Sequence, residues 1–206
     1  MVEGARFVLF LSAATLLAVS PGPGMLYVLS RTLHGGRREG FLSAGGTFVG
    51  GSVHAVAAGL GLSAILMKSA LAFEVVRYAG ACYLICLGIS MIRNRRAGMT
   101  GLRVESRSRQ TFVQGITTEV LNPKTALFFL SFIPQFVSPA KGHVVLQFLI
   151  FGTISVILNT AADLVVVGFA GSLAERLAHH PRFIERQRTV SGAGMIGLGI
   201  YVASSK

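Results

Sequence analysis

Two short segments and three buried-looking charges carry most of the chemistry this sequence can do. The first segment is Ser20-Pro21-Gly22-Pro23-Gly24. Proline removes a backbone donor and crowds the preceding turn, while glycine relaxes the chain, so this run interrupts a helix. Ser20 suits the N-cap of a new half-helix and Pro21 its first position. The second segment, Asn122-Pro123-Lys124, has the same order of cap and proline. A helix start offers unpaired amides and the positive end of the dipole. Two such starts with Lys124 beside them suit a carboxylate. Glu119, Lys124 and Asp163 lie within long apolar stretches, where charges are costly in lipid and turn inward. Glu119 and Asp163 are candidates for a proton site or for binding an ammonium; a purely structural ion pair is the alternative. Asn159, one turn before Asp163 on the same face, extends the polar lining. His54 is placed to relay protons, or to hydrogen-bond the backbone and do nothing more.

Composition says what must position these groups. Of 206 residues, 52% are hydrophobic and 13% charged, against about a quarter charged in soluble domains, and mean hydropathy is +0.65. No polar stretch is long enough for a separate soluble domain. Residues 7–30 and 41–67 are free of charge, and each is long enough to cross about 30 Å of hydrocarbon as a helix. A third span is expected near 69–92, where Glu74 and Arg77 are spaced to pair on one face. The fourth is expected near 110–137, the fifth near 143–173 and the sixth at 189–205.

The net charge of +11 would suggest a nucleic-acid partner in a soluble chain. Here the arginines cluster between spans: Arg31, Arg37 and Arg38; Arg93, Arg95, Arg96, Arg103, Arg107 and Arg109; Arg176, Arg182, Arg186 and Arg188. The opposite side holds only Arg6, Lys68, Arg77, Lys141 and Lys206. The excess of positive charge assigns the first, third and fifth loops to the cytoplasm and both termini to the outside. Nucleic acid is excluded as a partner; the lipid bilayer takes its place. Arg6 and Ala18-Val19-Ser20 imitate a signal peptide with its cleavage site, but the apolar run continues past Pro21, so cleavage is not expected.

Cys82 and Cys86 share one helix face and read as small packing residues, since a metal site needs more ligands. No cofactor or metal is expected. Gly46 and Gly50 form a small-xxx-small pair for close helix packing. Gly80-Ala81 and Leu87-Gly88-Ile89 in the third span correspond to Gly192-Ala193 and Leu198-Gly199-Ile200 in the sixth, and the first and fourth spans both carry proline breaks. Three spans repeated after three must be inverted, the plan of many secondary transporters.

The order and spacing of Pro21-Gly22-Pro23, the Gly-rich second span, the basic turn 35–40, the run Ala79 to Leu84 closed by Gly88, and Asn122-Pro123-Lys124 resemble the LysE/RhtB translocators over nearly the whole chain. The resemblance implies export of an amino acid or related metabolite, driven by the proton-motive force. Some members carry an aspartate early in span two. Here that segment reads Ala44-Gly45-Gly46-Thr47-Phe48, which favours a neutral substrate over a basic one.

The expected molecule is therefore an all-α integral membrane protein with six transmembrane helices in a 3+3 inverted repeat, helices one and four being broken by proline. It is one membrane domain over 1–206: a first repeat over about 1–92, a basic cytoplasmic loop at 93–109 and a second repeat over about 110–206. In this reading it is a proton-coupled exporter, not an enzyme, in a bacterial inner membrane. Ser20 to Gly24 and Asn122 to Lys124 hold substrate, while Glu119, Asp163, Asn159 and His54 line the path or couple protons. An intramembrane electron or metal carrier, or a channel, shares the topology. A thiol carrier calls for cysteines beside the broken helices, a metal carrier for clustered Asp and His, and a channel for non-saturable flux. An intramembrane serine protease is poorly served by Gly50-Gly51-Ser52-Val53, because His54 is too close in sequence to reach back to Ser52.

Overall fold

The computed structural model describes residues 4–62, 70–93, 108–179 and 181–204. The first helix, α1 (Gly4–Val19), stops where two prolines forbid its continuation; the Ser20 amide closes the last turn on the Leu17 carbonyl at 3.1 Å. The chain restarts at α2 (Pro23–Ala57), capped by Gly22 in extended backbone (φ −129°, ψ −179°). A residue before proline is pushed out of the helical region. Gly22 precedes Pro23, so the cap falls on Gly22 and the first helical position on Pro23, two residues beyond Ser20 and Pro21.

Within α2, Gly36 has φ 75° and ψ −177°, a backbone conformation open essentially to glycine alone. The two arms, 23–35 and 37–57, fold back on each other. A methyl group on Gly40 would stand 2.4 Å from Thr32 Oγ1, and one on Gly24 would stand 3.7 Å from Thr47 Cγ2. The expected first loop is thus a single-residue turn in a helical hairpin. A π-helical turn, Ala58–Leu62, extends its second arm.

Next come α3 (Ala70–Arg93), α4 (Ser108–Val120) and α5 (Pro123–Ser131), with 3-10 turns at Ile133–Phe136 and Pro139–Lys141. The chain ends in α6 (Val144–His179) and α7 (Pro181–Ser204). No strand occurs among the described residues, so the all-α class holds. Val144–Ala170 forms 27 residues of mean hydropathy 2.0; at about 1.5 Å per residue this exceeds a 30 Å hydrocarbon core. Most of the expected fifth basic loop is helical. Arg176 stands on α6, and Arg182, Arg186 and Arg188 stand on α7, because arginine is a good helix former and the backbone stays paired. Residues 94–107, Lys68 and Lys206, with the charges assigned to them, lie outside the described residues, as does the Arg77 side chain; Glu74 is exposed.

The core is aromatic where α1, α5, the first 3-10 turn and α6 meet. Phe10, Phe128, Phe132, Phe136, Phe148 and Phe151 are buried together. Phe10 packs on Phe151 at 4.7 Å between ring centroids, and Phe128 on Phe132 at 4.9 Å. A smaller cluster of Val28, Leu29, Ala44, Val166, Val167 and Ala170 seats the hairpin on α6. Elsewhere glycine permits contact at backbone distance. A Cβ on Gly46 would lie 2.3 Å from the Phe112 carbonyl, and one on Gly50 2.8 Å from that of Ile116, so this pair packs α2 against α4.

The α3–α7 pair closes the same way. Gly88 meets the Gly192 carbonyl and Gly199 meets that of Ala81, which makes the two helices antiparallel. Apart from each other, these two helices touch the remainder chiefly through α5, with smaller contacts to α1 and α6. Cys82 and Cys86 are exposed, not packed as expected, because Ala81 and Gly88 occupy the face of α3 turned to α7. Leu71, Val75, Val165 and Phe169 are also exposed, an outer surface suited to lipid.

Candidate functional site

The two helix breaks lie against each other. Asn122 takes an extended conformation (φ −74°, ψ 107°), and its Oδ1 accepts the Lys124 amide at 3.0 Å, with Pro123 opening α5. This is the expected cap. The Lys124 side chain then crosses to the other break. It runs along Gly22, where a Cβ would come 2.9 Å from its Cε. Its Nζ donates to the carbonyls of Leu17 at 3.0 Å and Ser20 at 2.8 Å. These carbonyls belong to the tail of α1, the negative end of its dipole. Lys124 thus neutralises a helix end; it is not held in open space.

Glu119 makes the reciprocal contact. It sits in the last turn of α4 and is buried. Its Oε1 accepts the Thr125 hydroxyl at 2.6 Å and its Oε2 accepts the Asn122 amide at 3.1 Å. A Cβ on Gly24 would stand 2.2 Å from Oε2, so the carboxylate presses on the first turn of α2, whose start has no side-chain cap. The anion faces the positive starts of α2 and α5, and the cation holds the negative tail of α1. The charges brace one break against the other.

Asp163, on α6, is fully buried. Thr47 Oγ1 lies 2.8 Å from its Oδ2 and 3.0 Å from the Ala44 carbonyl, while Oδ1 has no hydrogen-bond partner. Beside Glu119 and Thr47 lies a cavity lined further by Leu17, Gly51, Thr125, Phe128, Phe129, Ser155, Val156, Asn159 and Thr160. It leaves about 20 Å³ for the centre of a water-sized sphere, room for one water and no more. Asn159 is among the residues that line it. His54 stands at its flank, Nε2 3.0 Å from the Glu119 carbonyl and its ring 5.9 Å from that of Phe129. Pro21 and Pro23 shape the backbone; Pro23 itself is exposed. Among the described residues, no group of metal-ligating side chains is present.

Sequence reasoning missed the hydroxyls Thr47, Thr125 and Ser155, which give these acids and the cavity their polar character. A hydroxyl inside an apolar span was the signal, and a weak one. It also read Arg31 only as a topology charge. Arg31 and Glu39 are both buried beside the Gly36 turn. Arg31 Nε donates to the Tyr27 hydroxyl at 3.2 Å, its guanidinium stands 5.4 Å from that ring's centroid, and it also donates to Gln114. Tyr27 donates to the Thr111 carbonyl at 2.7 Å, and the Thr111 hydroxyl donates to Glu39. This second polar cluster ties the hairpin to α4.

Comparison with known proteins follows the same outline. Residues 15–206 match the family described as LysE type translocator. The homoserine/homoserine lactone efflux protein of Salmonella typhimurium is 31% identical over 201 residues, covering 96% of this chain and 95% of that protein. An uncharacterized membrane protein of Vibrio cholerae is 29% identical with 96% of each chain covered. One from Bacillus subtilis is 27% identical over 93% of this chain and 95% of its own. No solved structure matches.

Proposed function

The chain belongs to the LysE type translocator family and is a membrane transporter, not an enzyme; from that premise we propose that it exports a small neutral amino acid or close derivative from the cytoplasm in exchange for protons. The observation that carries this reading is the pair of braced helix breaks bordering a cavity that Glu119, Asn159 and several hydroxyls share with apolar side chains. A substrate carboxylate belongs at the broken-helix segments Ser20 to Gly24 and Asn122 to Lys124, nearest the start of α2, whose dipole end favours negative charge. The absence of a side-chain cap at the start of α2 supports that placement. Asp163 and Glu119 supply the acidic groups that exchange protons or receive the ammonium. The efflux of homoserine and its lactone named for the Salmonella relatives agrees with a neutral substrate. A cavity with room for about one water is smaller than an amino acid, so it must widen to take the substrate.

Six spans as an inverted 3+3 repeat fit the same reading, with repeats over about 1–92 and 110–206 joined by the basic stretch 93–109. Matched breaks at 20–22 and 121–122 support it. So does the reciprocal contact of α3 with α7, in which Gly88 meets Gly192 while Ala81 meets Gly199. These are nearly the same two positions of each repeat exchanged. Basic loops facing the cytoplasm and termini facing outward complete the topology. The test is efflux from vesicles loaded with labelled L-homoserine, L-threonine or L-leucine under an inward proton gradient. Saturable export of at least one, abolished by a protonophore, is expected. If none leaves faster than from empty-membrane controls, the substrate class is wrong.

A further inference from the structure

Glu119 and Asp163 are both buried acids, but their surroundings differ in kind. Each oxygen of Glu119 accepts a hydrogen bond, one from Thr125 and one from Asn122, and two helix starts face it. That is provision for an anion. Among the described residues Asp163 has one hydrogen-bonding side chain, Thr47, whose Oγ1 lies within hydrogen-bond distance of both Oδ2 and the Ala44 carbonyl. A hydroxyl carries one proton, so Thr47 cannot serve both acceptors at once. A proton on Oδ2 resolves the conflict. Asp163 then donates to Thr47, and Thr47 donates to Ala44. Oδ1 becomes the carbonyl oxygen of a neutral acid, and its lack of a partner costs far less than a bare carboxylate oxygen would. The charged groups acting on Asp163 are Glu119 from α4 and Lys124 from α5, and they offset each other. His54 of α2 is turned to the Glu119 carbonyl, and α1 has only Arg6, near its far end. With Asp163 neutral, the buried set carries no net charge.

We propose that Asp163 is the coupling group, at which a proton and the substrate's ammonium exclude each other, while Glu119 stays ionised and fixes the helix starts. This rests on the exporter reading above. On the cytoplasmic side the proton leaves Oδ2 for water, and the carboxylate accepts an N–H of the ammonium at Oδ1. On the outer side a proton from water returns to Oδ2 and the ammonium is released. The only bond broken and re-formed is the Oδ2–H bond of Asp163, with water taking and supplying the proton, and one proton enters for each substrate that leaves. Thr47 is the positioning residue. It stands between the cavity and Asp163, and its hydroxyl turns from the Ala44 carbonyl to Oδ2 when the proton departs.

Two measurements on the purified full chain test this. The first, infrared difference spectroscopy, needs no substrate. The carbonyl stretch of a protonated carboxylic acid is expected at neutral pH in wild type and in Glu119→Gln. It should move in Asp163→Glu and vanish in Asp163→Asn. A band absent from wild type, or surviving in Asp163→Asn, overturns the assignment. The second uses vesicles with labelled L-homoserine as the probe. One-for-one exchange supports roughly tenfold accumulation per pH unit, which Asp163→Asn should reduce to none and Asp163→Glu should partly restore. Thr47→Val should keep accumulation but shift the pH of half-maximal rate. Undiminished pH-driven accumulation in Asp163→Asn overturns the coupling role. If wild type moves no homoserine while the infrared band still follows Asp163, the substrate reading fails and the proton assignment stands.

Discussion

Replacing Gly24 by alanine separates this geometry from ordinary helix propensity. Inside a helix, alanine is normally the better residue by about 0.5–1 kcal/mol. Here the new Cβ would stand 2.2 Å from Glu119 Oε2, while its next neighbours, Glu119 Cδ at 3.4 Å and Thr47 Cγ2 at 3.7 Å, are in ordinary contact. Non-bonded heavy atoms settle near roughly 3.5 Å, so one oxygen must withdraw by about 1 Å. That oxygen accepts the Asn122 amide at 3.1 Å, and such a retreat breaks the bond. A hydrogen bond to a charged group contributes about 1.5–3 kcal/mol, which exceeds the propensity gain. The net effect is destabilisation by about 1–2 kcal/mol where propensity alone gives the opposite sign. The displaced atom ends a flexible side chain, so the helices keep their places. If the lost bond is expressed in full in the transport barrier, export falls roughly 10- to 100-fold. Equilibrium unfolding in mild detergent and vesicle efflux measure the two effects. In the background of Asn122→Ala the added cost should largely disappear, because the bond is already gone. A Gly24→Ala protein more stable than wild type, with full export, would refute the placement of Glu119 against α2.

Other substitutions sort by what the new atom meets. Gly46→Ala drives a Cβ to 2.3 Å from the Phe112 carbonyl, a backbone atom that cannot step aside. It should cost about 1–3 kcal/mol or more in detergent unfolding, whereas Gly45→Ala, 3.4 Å from the Phe112 ring, should be tolerated. Lys124→Met removes the ammonium from the Leu17 and Ser20 carbonyls and leaves Glu119 without a counter-charge. The expected loss is about 3–5 kcal/mol, and Lys124→Met with Glu119→Gln should recover part of it in the same measurement. Gly36→Ala places a side chain at φ 75° and should cost about 1–3 kcal/mol, seen as earlier unfolding and faster proteolysis at the hairpin turn.

Much of this site was legible because proline and asparagine act locally. Asn122 caps α5 as its side chain predicts, and the break after α1 falls where two prolines crowd the chain. The exact restart was misplaced because two prolines compete for the first helical position and the extended residue between them decides the outcome. Long-range partners left no such signature. Nothing in the sequence says that Lys124 reaches the tail of α1, because that depends on Gly22 lacking a side chain on a different helix. Nor does it say that Arg31, read as a topology charge, is buried beside Tyr27 and Gln114. The hairpin was read as two spans and a loop, because Gly36 alone does not announce that a ten-residue connection can contract to one residue. Thr47 was passed over as part of a glycine-rich packing face, since its importance comes from Asp163, 116 positions away.

The bare contact between α3 and α7 has a mechanical consequence. Two rods joined at glycines, with isoleucines packed beside each contact, have little play between them and tilt as one plank. That plank rests mainly on α5, the short helix that begins at Asn122. Tilting it would tug first on Lys124, and through the ammonium's grip on two carbonyls the pull would pass to α1. A strain applied at the lipid-facing edge would thus arrive at the charged centre along α5, the helix that also carries Phe128 of the aromatic core.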